Sequence, residues 1–366
     1  EIAALMTLSN GLRVLIVTPL RALSAQMERS FRRIFSPLGF SVSSLYGASG
    51  LAGNDEDTLK SRNIIIATPE KLDFALRNDS TIIDDIGLIV LDEGHLIGPT
   101  EREIRYENLV QKLLRREDHH RRRIVCLSAI LPEGEHLNDL TAWIRSDDEG
   151  GPIQLSWRPT RQRFGTLYRQ GNSARLDFNL EPDGPYISRF IQFERGFPRS
   201  NRDLTLAAAW KFATQGKRTL IFCTERRRVE EFAEAIVSRN GEGILPSLLD
   251  GEAISSIQRA VVIGQEWLGQ NHPVVQCLQL GIAVHHGRLP SPFLRELESL
   301  LSTGILKVIV ASPTLAQGLN LNAAVLLVPY LHRNRSLISG EEFANVAGRA
   351  GRAFVDLEGL VVHVMY

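Results

Sequence analysis

Gly87-Leu88-Ile89-Val90-Leu91-Asp92-Glu93-Gly94-His95 decides how this chain reads. A run of mostly branched apolar residues passes straight into two adjacent carboxylates. A continuous apolar run of this length fits a strand buried on both faces, as in a parallel sheet. Ligands of open α/β sheets sit beyond the carboxyl ends of the strands, which is where Asp92 and Glu93 fall. Two carboxylates there suit phosphoryl transfer: one to hold Mg²⁺ through its hydration shell, the other to orient the attacking water. The same letters also describe a strand ending in a solvated acidic turn, so the rest of the chain has to choose.

Upstream, the pattern predicts a helix over 2–8, a strand over 13–18, a helix over 20–35, strands over 41–46 and 63–68, and a helix over 70–76. Downstream it predicts a helix over 104–114, a strand over 123–127 and a short helix ending near Trp143. Strands alternating with helices are the signature of βαβ units and a mostly parallel sheet. From about 150 to 200 the pattern loosens, punctuated by Pro152, Pro159, Pro182, Pro185 and Pro198, with strand-like pieces at 153–155 and 164–168. Alternation then restarts: a helix over 203–214, a strand over 219–223, a helix over 229–237 and a mostly helical insertion over 244–273. Strands follow at 282–285, 307–311, 324–328 and 360–364, with a helix capped by Ser291 running to Leu301. Two α/β lobes imply a cleft between them.

Composition sets the limits. The chain has 366 residues, enough for two or three ordinary domains, with 43% hydrophobic and 23% charged residues. The 42 basic and 42 acidic residues cancel, so any nucleic-acid site must be a local groove. Cys126, Cys223 and Cys277 form no Cys-x-x-Cys pair and read as buried free thiols of a reducing compartment, the cytoplasm. No apolar run reaches membrane-spanning length. His119 and His120 lie among Arg115, Arg116 and Arg121–Arg123, which reads as a solvated basic loop.

The other strand ends carry a recurring chemistry. Thr18-Pro19-Leu20-Arg21, Tyr46-Gly47-Ala48-Ser49 and Thr68-Pro69-Glu70-Lys71 each sit where a strand hands over to a loop or helix. Small hydroxyl residues and free backbone N–H groups there suit phosphate oxygens. Ser128 follows a strand within reach of a neighbouring carboxylate such as Asp92. Gly318, in Thr314-Leu315-Ala316-Gln317-Gly318-Leu319-Asn320, permits close backbone approach to a ligand. Asn345-Val346-Ala347-Gly348-Arg349-Ala350-Gly351-Arg352 puts two arginines three residues apart, which predicts one helical face suited to phosphate.

Taken in order, these stretches, with Ile221-Phe222-Cys223-Thr224 and His285-His286-Gly287, resemble superfamily 2 helicases of the DExH type, the superkiller and archaeal DNA-repair branch most closely. The resemblance covers nearly the whole chain. It implies two tandem RecA-like domains, 1–170 and 171–366, each a mostly parallel sheet flanked by helices, with ATP and Mg²⁺ in the cleft. It implies that Asp92 holds Mg²⁺, Glu93 is the catalytic base, and Arg349 and Arg352 meet the γ-phosphate. Gly318, Asn320 and Asn345 would contact nucleotide. His95, Ser128 and Ala129 would couple the ATP site to the track. Pro19, Arg21, Gly47, Thr68, Pro69, His286 and Thr314 would line the path of single-stranded DNA or RNA, bound through phosphate and sugar.

Three departures from that pattern stand out. No Gly-x-x-x-x-Gly-Lys-Ser/Thr loop is present, and the chain opens as if inside a helix, which reads as truncation just after that loop. Asn345 replaces a glutamine, and Ile130 replaces the threonine of the coupling stretch. The residues leave open a motor, a helicase-shaped binding scaffold without hydrolysis, and a double-strand translocase. DNA against RNA, polarity, and membership of a repair, RNA-turnover or defence complex stay open as well.

Overall fold

The computed structural model describes residues 1–19, 21–45, 60–94, 96–97, 101–128, 135–145, 151–153, 160–178, 184–193, 196–313, 323–351, 356 and 358–366. They form two compact units, Glu1–Leu155 and Ser156–Tyr366.

The first unit is a five-stranded sheet of β1 (Arg13–Val17), β2 (Val42–Leu45), β3 (Ile64–Ala67), β4 (Ile86–Leu91) and β5 (Arg123–Cys126), in the order β2-β3-β1-β4-β5. Every pairing is parallel. The continuous apolar runs have a physical reason. Alternate side chains of each strand enter two different cores, because successive residues point to opposite faces. Leu15, Val17, Ile65, Ala67, Ile89 and Leu91 pack under the helices Pro69–Asn78 and Glu101–Leu114. Val14, Ile16, Ile64, Ile66 and Leu88 pack under the helices Ile2–Ser9 and Arg21–Phe35. Each fully buried Leu, Ile or Val contributes about 1.5–3 kcal/mol relative to exposure.

The second unit is an eight-stranded sheet of β6 (Arg161–Gln170), β7 (Ser173–Phe178), β8 (Tyr186–Gln192), β9 (Thr219–Phe222), β10 (Ile282–His285), β11 (Val308–Ala311), β12 (Val325–Val328) and β15 (Glu358–Met365). A small hairpin of β13 (His332–Arg333) and β14 (Ser336–Leu337) stands apart. The sheet order is β10-β11-β9-β12-β15-β6-β7-β8. It is parallel through β6 and antiparallel through β7 and β8. Strand β6, which the sequence puts with the first lobe, pairs along its length with β15 of the second unit. The sequence did not predict β7 and β8. Ala174 and Leu176 are buried but their neighbours are only half-buried, and β8 is largely exposed. The insertion over 244–273 holds one long helix, Gly251–Leu268, and a second helix begins at Pro273. Pro290, not Ser291, is the cap of the helix Ser291–Thr303. Of the expected strand-like piece at 153–155, residues 154–155 lie outside the described residues. Cys223 and Cys277 are buried free thiols as expected, whereas Cys126 is only half-buried.

Candidate functional site

Because the first sheet is parallel throughout, all its carboxyl ends meet one edge. Asp92, Glu93 and Gly94 turn sharply there. The Asp92 N–H donates to Val17 O at 2.9 Å, and the Gly94 N–H to Leu127 O at 2.9 Å. The Leu127 N–H in turn donates to Leu91 O at 2.8 Å, which sets Ser128 beside the carboxylate turn. Glu93 is held at φ +52°, in the left-handed region. Its Oε2 is sealed from solvent. A non-glycine residue in that conformation costs about 1–3 kcal/mol, a strain that collects at functional sites.

Beneath the turn lies Tyr106, on the helix Glu101–Leu114, 3% exposed. Its hydroxyl has no hydrogen-bond partner among the described residues. Burial above all, then Cys126, Asp92 and Glu93, pushes the phenol above its ordinary pKa. Burial, then Asp92, raises the Cys126 thiol to about 11. Two adjacent carboxylates are a hard oxygen donor set. They fit Mg²⁺ held partly by water and phosphate, rather than a caged metal. Among the described residues no group of three or more His, Cys, Asp or Glu converges on a metal position.

Gly94 is required by space. A Cβ there would lie 2.0 Å from Cys126 Sγ, and the next atom, Cys126 Cβ, is 3.6 Å away. Gly94→Ala should therefore destabilise the first unit by about 1–3 kcal/mol through overpacking. Adding Cys126→Ala should restore most of the loss. Thermal unfolding of the single and double variants checks this, and a double variant no more stable than Gly94→Ala would refute the contact as the cause.

Along the same edge, Thr18 and Thr68 are buried, and Pro19 and Pro69 with them. The Thr18 N–H donates to Ala67 O at 3.0 Å, and the hydroxyls of Thr18 and Ser24 share a hydrogen bond. Thr68 precedes the helix Pro69–Asn78 in extended conformation. The structure thus brings Pro19, Thr68, Pro69, Asp92, Glu93 and Ser128 to one sheet edge. Gly47, His95 and Ala129 lie outside the described residues, as does the side chain of Arg21. The sequence reading passed over Arg102, which donates to the carbonyl of Pro19 and sits 3.3 Å from Glu70. A backbone acceptor far away in sequence leaves no local signal.

In the second unit, Asn345 is half-buried on the helix Gly340–Ala347. The expectation of two arginines on one helical face fails. The helix ends at Ala347, and Gly348 is its cap. The chain then turns to bridge Ala323: the Ala323 N–H donates to Arg349 O at 3.1 Å and the Gly351 N–H to Ala323 O at 2.8 Å. Arg349 leaves that turn half-buried, with Nε sealed from solvent. Gln162 of β6 donates to Ala347 O at 2.6 Å and closes the helix end, another contact the sequence did not announce. Arg352, Thr314, Gly318 and Asn320 lie outside the described residues. His286 is 4% exposed, with Nε2 3.8 Å from Glu230 Oε1. Burial lowers its pKa to about 4 despite Glu230, so the ring is neutral at neutral pH.

The DEAD/DEAH box helicase family model matches residues 1–137. The chain is 29% identical to Hachiman protein HamB of Bacillus cereus, across 100% of this chain and 34% of that protein. It is 27% identical to ATP-dependent DNA helicase Hel308 of Methanocella arvoryzae, across 99% of this chain and 46% of that one. Against ATP-dependent DNA helicase Hel308 of Pyrococcus abyssi the identity is 29%, across 98% of this chain and 45% of that one. The chain thus spans between a third and a half of the length of these relatives. Among the described residues no helix is long and apolar enough to cross a membrane. The ordered motifs, the two α/β units, the family model and these relatives together make the chain similar to the superfamily 2 helicases of the DExH type.

Proposed function

We propose that this chain is the motor core of an ATP-dependent enzyme that moves along single-stranded nucleic acid. The observation that carries the reading is Glu93. It is held at φ +52° with one carboxylate oxygen sealed, beside Asp92, at the carboxyl edge of a fully parallel sheet. Asp92 would hold Mg²⁺, and Glu93 would take the proton of the attacking water. Bound with ATP, Mg²⁺ supplies charge neutralisation for phosphoryl transfer. Arg349 and Arg352 would face the transferred phosphate, with Gly318, Asn320 and Asn345 on the nucleotide. Pro19, Arg21, Gly47, Thr68, Pro69, His286 and Thr314 would follow the strand, and His95, Ser128 and Ala129 would link the two. The three free thiols suit the cytoplasm. DNA is the first track to test, because two of the relatives are named as DNA helicases.

Steady-state ATP hydrolysis by the protein carrying this chain is the test, with single-stranded DNA, single-stranded RNA or neither. Stimulation by one of them supports the motor and names its track. Binding of single strands with no hydrolysis under any condition overturns it and leaves a binding scaffold.

A further inference from the structure

The helix Glu101–Leu114 follows the carboxylate turn and carries Arg102 at its start. Arg102 Nη2 donates to the carbonyl oxygen of Pro19, and Nε lies 3.3 Å from Glu70 Oε1. Pro19 closes the turn after β1, and Glu70 lies in the first turn of the helix that Thr68 introduces. One guanidinium therefore joins both threonine-proline turns of the strand-tracking edge. Four residues on, the same helix places the Tyr106 phenol under the field of Asp92 and Glu93. Farther along, Lys112 pairs with Asp73 at 2.6 Å. Leu72, Ala75, Leu109, Val110 and Leu113 fill the space between the two helices. Ion pairs at the first turn and the middle of the helix Pro69–Asn78, with this apolar contact, thus join the two helices.

We propose that Arg102 is a positioning residue that couples nucleic-acid binding to ATP turnover within the first unit, by fixing the Pro19 and Glu70 turns to the helix that leaves Asp92 and Glu93. The inference rests on the motor reading above. A load on the Thr18 or Thr68 turn reaches the helix through Arg102, and the helix seats Tyr106 beneath the carboxylates. Arginine fits this role because its planar fork serves a carbonyl and a carboxylate together, which the single ammonium of lysine does less well. The Arg102 side chain is 53% exposed, and exposed ion pairs add little stability. Its effect should therefore be in coupling, not in folding.

The experiment measures ATP hydrolysis against the concentration of a single-stranded oligonucleotide for the wild-type protein, Arg102→Ala and Arg102→Lys. In Arg102→Ala the stimulation by nucleic acid should fall about fivefold to tenfold, the lower end of typical coupling energies. The rate without nucleic acid and the KM for ATP should stay within about twofold, as for loss of an exposed pair. Arg102→Lys should recover part of the stimulation. Adding Glu70→Gln to Arg102→Ala should cause little further loss, because the pair acts as a unit. Full stimulation in Arg102→Ala overturns this inference alone. So does a parallel fall of both rates and the unfolding temperature, which would mark a structural role. Absence of stimulation in the wild-type protein overturns the motor reading and this inference with it.

Discussion

Glu93→Gln is expected to abolish ATP turnover while ATP binding stays measurable. Glutamine keeps the volume of glutamate and the same demand on the left-handed backbone at φ +52°, so the fold should lose little. What it removes is the ability to take a proton. A positioned general base contributes about 10²–10⁴-fold, and kcat should fall by about that factor. Asp92, in the neighbouring position, keeps its carboxylate, so the proposed cation ligand is untouched. Binding of a fluorescent ATP analogue, thermal unfolding and steady-state turnover separate the three effects. Turnover at the wild-type rate would move the base to another residue. Glu93→Gly makes the complementary point. It should lose turnover equally but gain stability by relief of backbone strain, about 1 kcal/mol or more.

The parallel strands were legible because they are buried twice over. Leu15 and Ile16 enter different cores, so β1 is apolar from Val14 to Val17, and a period-free apolar run is the signature. The carboxylate pair was legible for the same reason, since an apolar run that stops abruptly at charge marks a strand end. β7 and β8 were not legible, because a strand with one buried face or none gives no such run, and prolines surround them. The Asn345–Arg352 stretch misled in another way. Its small residues suit a helix as well as a tight turn. What ends the helix before Arg349 is a backbone bridge to Ala323, a partner distant in sequence. Tyr106 held an apolar position in the helical pattern, and nothing local distinguished a core tyrosine from one whose hydroxyl lies under two carboxylates. Arg102 was one charge among many on a charged helix. Its acceptor is a carbonyl, which has no letter of its own.

Gly359→Ala should be among the most damaging single-methyl additions in the second unit. Gly359 lies in β15, which is flanked by β12 and β6 and paired in register with both, Gly359 itself opposite Gln162. A Cβ at Gly359 would lie 2.1 Å from Ala350 O and 2.5 Å from Gly351 N. Both obstacles are backbone, so no rotamer change relieves them. Gly351 answers from the other side, at φ +89°, where a Cβ would lie 2.3 Å from Thr160 Cγ2. Either β15 shifts against two neighbours or the turn that holds Arg349 moves away. With a backbone obstacle the overpacking cost takes the upper end of its usual range, about 3 kcal/mol. For a unit of this size that lowers the unfolding temperature by roughly 6–12 °C. Turnover should fall further than the folded fraction, because Arg349 leaves its position with the turn. Gly348→Ala is the control in the same turn. Its Cβ would meet Ala344 O at 3.3 Å and Asn345 O at 3.4 Å, on a right-handed backbone. Its stability should stay within about 1 kcal/mol of wild type. Thermal unfolding and ATP hydrolysis of both variants decide the matter. A Gly359→Ala protein that unfolds at the wild-type temperature would mean that the arginine turn does not rest on β15, and that something else sets the position of Arg349.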